Sequence, residues 1–267
     1  MAISDAELSV LVGITGTFEN SGDPYEGVSG DFDGQGISCG VLQWNIGQGS
    51  LQPLVKAAGQ AAVTTAMPSL GAQMWNACNG SIAAGLAIVR GWQKNKTLLA
   101  TPRKELKTFM GSKAMRQQQD ANIRSVGKSA EALADKWAAD RGEPKRSLQE
   151  LAWFFDIVTQ NSAMKGLTFS DVKSFKAAAG PGKADDLVCD WLAATNNTYA
   201  GKDDCHKNAT LWRGTGDGAA LDLLVLAYLR SQKSTLTWRG DVLNRKGTLA
   251  IKRGWVHKQK FDFSTVF

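Results

Sequence analysis

Thr17-Phe18-Glu19-Asn20, followed ten residues later by Gly30-Asp31-Phe32-Asp33-Gly34-Gln35-Gly36-Ile37-Ser38-Cys39-Gly40, is the stretch on which the reading of this chain turns. Upstream of it, Leu8, Leu11, Val12, Ile14 and Phe18 recur at helical spacing behind Ser4 or Asp5 as the cap. Glu19 therefore falls at the C-terminal end of a first helix. A carboxylate there opposes the helix dipole, which points to a raised pKa or a functional need. Asn20 to Pro24 reads as a turn. Tyr25–Val28 and Ile37–Trp44 read as two strands of a hairpin whose tip is Gly30–Gly36. Gly34 and Gly36 suit positive φ and close approach of the backbone to a ligand.

Asp33 follows Glu19 by 14 residues, close enough for a helix end and a hairpin to face one another across a groove. A carboxyl on a desolvated helix end can stay protonated and donate to a leaving oxygen. A carboxylate on a polar hairpin stays ionised and can activate water or act as the nucleophile. Glu19 and Asp33 are thus the candidate catalytic pair. Asp31 competes with Asp33, since residues two apart on a strand share a face. Asp33 is favoured because it adjoins the Gly34–Gly36 bend. Ser38 has a hydroxyl able to orient water. Gln43, Trp44 and Asn45 offer amides and an indole suited to sugar hydroxyls and a ring face, with a core position as the other reading of Trp44. Gln160 and Asn161 end an apolar helix containing Trp153, Phe154 and Phe155, and either line a cleft or cap the helix.

The remainder reads as helices with short breaks. The spacing predicts helices over Leu51–Gly59, Val63–Met67, Leu70–Trp92, Arg103–Met110, Lys113–Gly142, Leu148–Gln160, Phe169–Ala179, Ala184–Ala194, Ala219–Gln232 and Arg239–Ile251. The class is mainly α (α+β) with one small β-hairpin element. The 267 residues, 43% hydrophobic and 21% charged, suffice for one large core or a two-lobed single domain with a cleft. That composition excludes a disordered chain.

No apolar run reaches the roughly 20 residues that a membrane helix needs. The N-terminus lacks the basic and apolar regions of a signal peptide, so action outside the cytoplasm would need another export route, or the chain is a domain cut from a longer one. Net charge is +6, with basic residues gathered late, at Arg239, Arg245, Lys246, Lys252, Arg253, Lys258 and Lys260. These form a solvated surface or attract a polyanion. No motif that reads nucleic acid accompanies them. Cys39, Cys78, Cys189 and Cys205 form no CxxC pair, and a zinc site is not expected. Cys189 and Cys205 flank a polar loop; a loop-closing disulfide and a pair of buried thiols are both open.

At these residues the chain resembles the chitosanases of the lysozyme superfamily. Glu19-Asn20 and Asp33-Gly34-Gln35-Gly36-Ile37-Ser38-Cys39-Gly40 match that family's first-helix Glu-Asn and its Gly-Asp-Gly-x-Gly-Tyr-Thr-x-Gly hairpin. Ala114–Asp120, Phe154–Val158 with Gln160-Asn161, and Arg239–Arg253 follow the family's later segments more loosely. The resemblance implies a lysozyme-like two-lobed fold, with Glu19 as general acid, Asp33 as general base, Ser38 as holder of the water, and inversion of configuration. The hairpin departs in Gln35, where the family has Arg. The acid with which the family binds cationic glucosamine falls at Ser50.

Chitosan is a polycation, whereas peptidoglycan is N-acetylated and carries anionic peptides. The charge balance therefore favours a muramidase-like cell-wall hydrolase over a chitosanase. Two carboxyls and water require no metal or organic cofactor. A lysin or an antibacterial toxin delivered by a secretion machine, paired with an immunity protein, follows by analogy. A non-catalytic wall-binding module is the reading from another class.

Overall fold

The computed structural model describes residues 3–19, 23–161 and 163–267, with the side chains of Glu19 and Asn161 outside the described part. Asn20 and the start of its turn lie outside the described residues. The chain is mainly helical, 64% helix, with a few small antiparallel sheets.

It divides into two compact units. The first, Leu8–Ser125, begins in helix α1 (Asp5–Glu19). It continues through a three-stranded antiparallel sheet of β1 (Val28–Ser29), β2 (Ser38–Cys39) and β3 (Trp44–Asn45). Helices α2 (Leu51–Ala58), α3 (Gln60–Ala66), α4 (Gly71–Asn79) and α5 (Ile82–Arg90) follow, then the hairpin β4 (Gln93–Lys94) and β5 (Thr97–Leu98), and helix α6 (Ala100–Met110). The long helix α7 (Lys113–Asp140) gives its residues up to Ser125 to this unit and the rest to the second. The second unit also takes in the N-terminal residues up to Glu7. It holds α8 (Leu148–Asn161), α9 (Phe169–Ala179), α10 (Ala184–Ala193), α11 (Lys202–Trp212), α12 (Gly218–Gln232), α13 (Arg239–Ile251) and a hairpin of β6 (Arg253–Val256) and β7 (Gln259–Asp262).

In α1 the predicted stripe is the buried one, with Leu8, Leu11, Ile14 and Phe18 all inside. Ser4 is the cap. Its hydroxyl accepts the Glu7 N–H, and the Glu7 carboxylate accepts the Ser4 N–H at 2.8 Å, a reciprocal capping box. In the second unit Trp153, Phe154 and Phe155 form core as expected, and Trp137 packs on the rings of Phe154 and Phe169.

Several expectations are corrected. The helix predicted over Leu70–Trp92 is two helices, because Ser81 caps a new one by accepting the Ala84 N–H. The strand predicted over Ile37–Trp44 is also two. Gly40 (φ 72°) and Gln43 (φ 54°) reverse the chain between β2 and β3. A side chain at Gly40 would stand 2.4 Å from the Gln119 amide oxygen, so only glycine fits this turn. Tyr25 lies in a 3-10 turn, Pro24–Glu26, rather than a strand.

In place of one β-hairpin the described residues form three small sheets. The two unforeseen hairpins turn on Asn95-Lys96 and His257-Lys258, with φ positive at all four residues. That is the two-residue turn geometry that glycine usually advertises, built here mostly without its usual residues. The polar loop expected between Cys189 and Cys205 is present, between α10 and an unforeseen helix, α11. Its buried face is Cys205, Asn208, Ala209 and Trp212. Asn208 replaces an apolar residue there by bonding Asn244 and both backbone groups of Trp255. No disulfide closes this region. All four cysteines are buried free thiols, and burial raises Cys189 to about 12 and Cys205 to about 11.

The late basic segment is the largest correction. Arg253, Lys258 and Lys260 are exposed, but Arg245 and Lys246 are core residues of the almost wholly buried helix α13.

At the start of α1, the Arg146 guanidinium bonds Glu7 at 2.7 Å and, with the cap, holds its carboxyl down at about 2, against 4.5 ordinarily. The unfolded chain binds this proton first as pH falls. The contact therefore contributes stability that is complete above pH 4.5 and lost as pH drops through 2. Glu7→Gln is expected to lower stability at neutral pH and to flatten the acid-side loss. Denaturant unfolding of both proteins across that window checks this, and identical slopes would contradict it.

Candidate functional site

The segment Gly30–Gly36 leaves β1 and returns to β2 as a loop held from inside. Gly36 donates its N–H to Asp31 Oδ1 at 2.6 Å, closing the loop on itself. Arg90, the last residue of α5, places Nε 2.7 Å from Asp31 Oδ2 and donates through Nη2 to the Gly34 carbonyl at 3.0 Å. Gln93 clamps both ends. Its side-chain oxygen accepts the Asp31 N–H at 2.8 Å, and its amide donates to the Gly36 carbonyl at 2.7 Å. Gly36 takes φ 86° and seats its α-carbon against Leu86 and Val89 of α5, where a β-carbon would come within 2.8 Å of both.

Asp31 is therefore the buried organiser of the loop. Burial pushes its carboxyl up, but the Gly36 N–H and Arg90 outweigh burial and hold it below the ordinary carboxylate value. Asp33 stands at the exposed tip beside Phe32, which is 65% exposed, and accepts the Gln35 N–H at 3.1 Å. The two acids that sequence spacing leaves in competition are thus separated. One is committed inward to two donors, the Gly36 N–H and the Arg90 guanidinium, and the other faces solvent.

Glu19 is the last residue of α1, as the apolar spacing predicts, and belongs to the same unit as Asp33. Ser38 is buried on β2, between Ser29 of β1 and Asn45 of β3. Gln43 folds back over its own turn. Its amide donates to the Gly40 carbonyl at 3.1 Å, and its oxygen accepts from the Ser29 hydroxyl at 3.4 Å. Asn45 is buried, with its oxygen accepting the Gln48 N–H at 2.8 Å and its amide facing the Gln48 oxygen at 3.3 Å. Ser50 closes the same turn by accepting the Asn45 N–H at 2.9 Å. Trp44 is core, and its indole donates to Asn122 at 3.0 Å. Gln160, exposed near the end of α8, and Asn161, its last residue, belong to the second unit.

Within the first unit α7 acts as a clasp that sequence spacing alone did not assign. Tyr25 donates its hydroxyl to Asp120 at 2.6 Å, and burial together with that carboxylate raises the phenol to about 12. Arg116 pairs with Asp23 and stacks over the Tyr25 ring. Gln119 donates to the Met110 and Tyr25 carbonyls and accepts the Val41 N–H, tying the 3-10 turn, α6 and the Gly40 turn together.

Sequence reading also missed a charged cluster in the second unit. Asp156, fully inside α8, receives Arg245 Nε at 2.7 Å and the Lys246 ammonium. Burial pushes its carboxyl up, and the two cations outweigh that and bring it below the ordinary value. Lys246 falls to about 8, because burial and the neighbouring Arg245 and Arg230 overcome its attraction to Asp156. An Asp inside an otherwise apolar helical run was the available signal.

Comparison of the chain with protein-family models, curated proteins and solved structures gives no match. Among the described residues no group of three or more His, Cys, Asp or Glu could hold a metal ion. No described helix is long and apolar enough to cross a membrane. The chemistry legible at the loop is that of carboxylates presented on a braced scaffold.

Removing the brace gives a direct check. Arg90→Ala should raise hydrogen exchange at the Gly36 amide about tenfold, the scale of one charge-assisted bond discounted for solvent exposure. Arg90→Lys should recover part of the protection. Unchanged exchange in Arg90→Ala would show that the loop does not rest on this residue.

Proposed function

We propose that this protein is a glycoside hydrolase that cleaves β-1,4 bonds in the glycan strands of peptidoglycan. The observation that carries the reading is the division of labour in the loop. Asp31 is consumed by Arg90 and Gly36, which leaves Asp33 as the carboxylate offered to solvent, in the unit where α1 ends on Glu19. In this mechanism Glu19 protonates the leaving glycosidic oxygen. Asp33 takes a proton from a water that attacks the opposite face of the sugar. Inverting hydrolysis of this kind needs a gap of roughly 6.5–9.5 Å between the carboxyls to admit the water. The chain's resemblance to chitosanases supports the same assignment.

Charge supports peptidoglycan over chitosan as the substrate. The protein is net +6. Ser50 stands where an amine-binding acid would be needed, and its hydroxyl is tied into the Asn45 turn. Action on a wall places the working protein outside the producing cytoplasm. A secretion-machine partner and an immunity protein belong to the same proposal by analogy.

Glu19→Gln and Asp33→Asn are each expected to reduce glycan release from purified sacculi by at least about a hundredfold. Folding stability should stay within about 0.5 kcal/mol for Asp33→Asn, an exposed substitution. Asp31→Asn should differ by lowering stability as well, because it weakens the loop's internal pairing. Near-normal release by both Glu19→Gln and Asp33→Asn would sink the assignment.

A further inference from the structure

Six basic residues fall between positions 90 and 107, namely Arg90, Lys94, Lys96, Arg103, Lys104 and Lys107, against the single acid Glu105. Glu105 does not offset them at the surface. It is buried, and its carboxylate accepts the N–H groups of Ser69 and Leu70 ahead of α4. Arg90 is engaged with Asp31. Arg103, Lys104 and Lys107 instead line an open groove of about 630 Å³ along α6, together with Glu26, Ala100, Thr108 and Gly111.

Lys104 and Lys107 are exposed, Arg103 is half-exposed, and among the described residues none of the three has an ion-pair partner. Glu26, an acid that also lines the groove, lies 3.6 Å from Arg116. On a helix, residues 103, 104 and 107 span one turn, so three cations fall within about 6 Å along the axis. Three cations grouped along one groove suit a flexible chain carrying more than one carboxylate.

The groove adjoins the elements of the candidate site within the same unit. The 3-10 turn that holds Glu26 and strand β1, which leads into the Asp33 loop, both pack against α6. We infer that this groove binds the acidic stem peptide attached to the glycan strand, through that peptide's carboxylates. The inference rests on the peptidoglycan reading and names the part of that substrate the groove takes. A peptide of a few residues reaches about 3.3 Å per residue from its sugar, enough to span neighbouring elements of one unit. The groove thereby sets a preference for glycan that still carries its peptides.

The test uses the full chain carrying Glu19→Gln, so that binding is read without cleavage, with and without the triple substitution Arg103→Gln, Lys104→Gln and Lys107→Gln. Three sediments are compared: sacculi with peptides, glycan strands stripped of peptides, and sacculi freed of phosphate polymers. The triple variant should bind peptide-bearing sacculi about tenfold more weakly, the sum of three exposed charge contacts. It should match its parent on stripped strands. Equal binding of both proteins to peptide-bearing sacculi would overturn the inference. So would an equal loss on stripped strands, or loss of the parent's binding when phosphate polymers are removed. If the protein with Glu19 intact releases no glycan yet the binding pattern holds, the hydrolase reading fails and the groove assignment stands.

Discussion

The pairing of Arg90 with Asp31 is the constraint on which the candidate site depends. A seven-residue loop rich in glycine has little reason to hold one shape, because glycine loses the most conformational freedom on ordering. Here the buried carboxylate supplies the order. It draws the Gly36 N–H inward, meets a guanidinium from the end of α5, and leaves the Gly34 carbonyl to the same guanidinium. Gln93 then satisfies the backbone at both ends. A loop braced in this way presents Asp33 at its tip, where the carboxylate accepts the Gln35 N–H. The placement follows from where the cation sits, at the end of a helix that the sequence reading merged with its predecessor.

How much of the fold is legible in the sequence differs by element, and the reasons are physical. Helices α9 and α13 were read to the residue, and α9 opens on a Thr168-x-x-Asp171 capping pattern that the sequence displays. The end of α1 at Glu19 came from a stripe that is in fact the buried one. The Gly40 turn was missed because its glycine sits inside a run of β-formers, and the need for it comes from Gln119, 79 residues on. The hairpins at Asn95-Lys96 and His257-Lys258 were missed because their positive φ falls mostly on residues that do not advertise it. Helix α11 was hidden by Asn208, a polar residue doing the work of a core position through three hydrogen bonds.

Charge was the property that sequence located least well. The late basic residues were expected at a surface, yet Arg245 and Lys246 are folded around Asp156 in the core of the second unit. Burying such a cluster is costly unless every member is paired, and it places two cations against one carboxylate. Lysine responds by losing basicity. Three accessible cations of the first unit lie instead on α6, where helical spacing gathers them beside one groove. A sum over the chain cannot distinguish these two fates, because burial is decided by tertiary packing.

Glycan chemistry is the central claim, and the most direct measurement is mass spectrometry of the products released from purified, peptide-bearing sacculi. The account predicts soluble disaccharide-peptide fragments ending in a new reducing sugar, with little product from chitosan under the same conditions. Intact sacculi after prolonged digestion, or efficient release of glucosamine oligomers from chitosan instead, would contradict it.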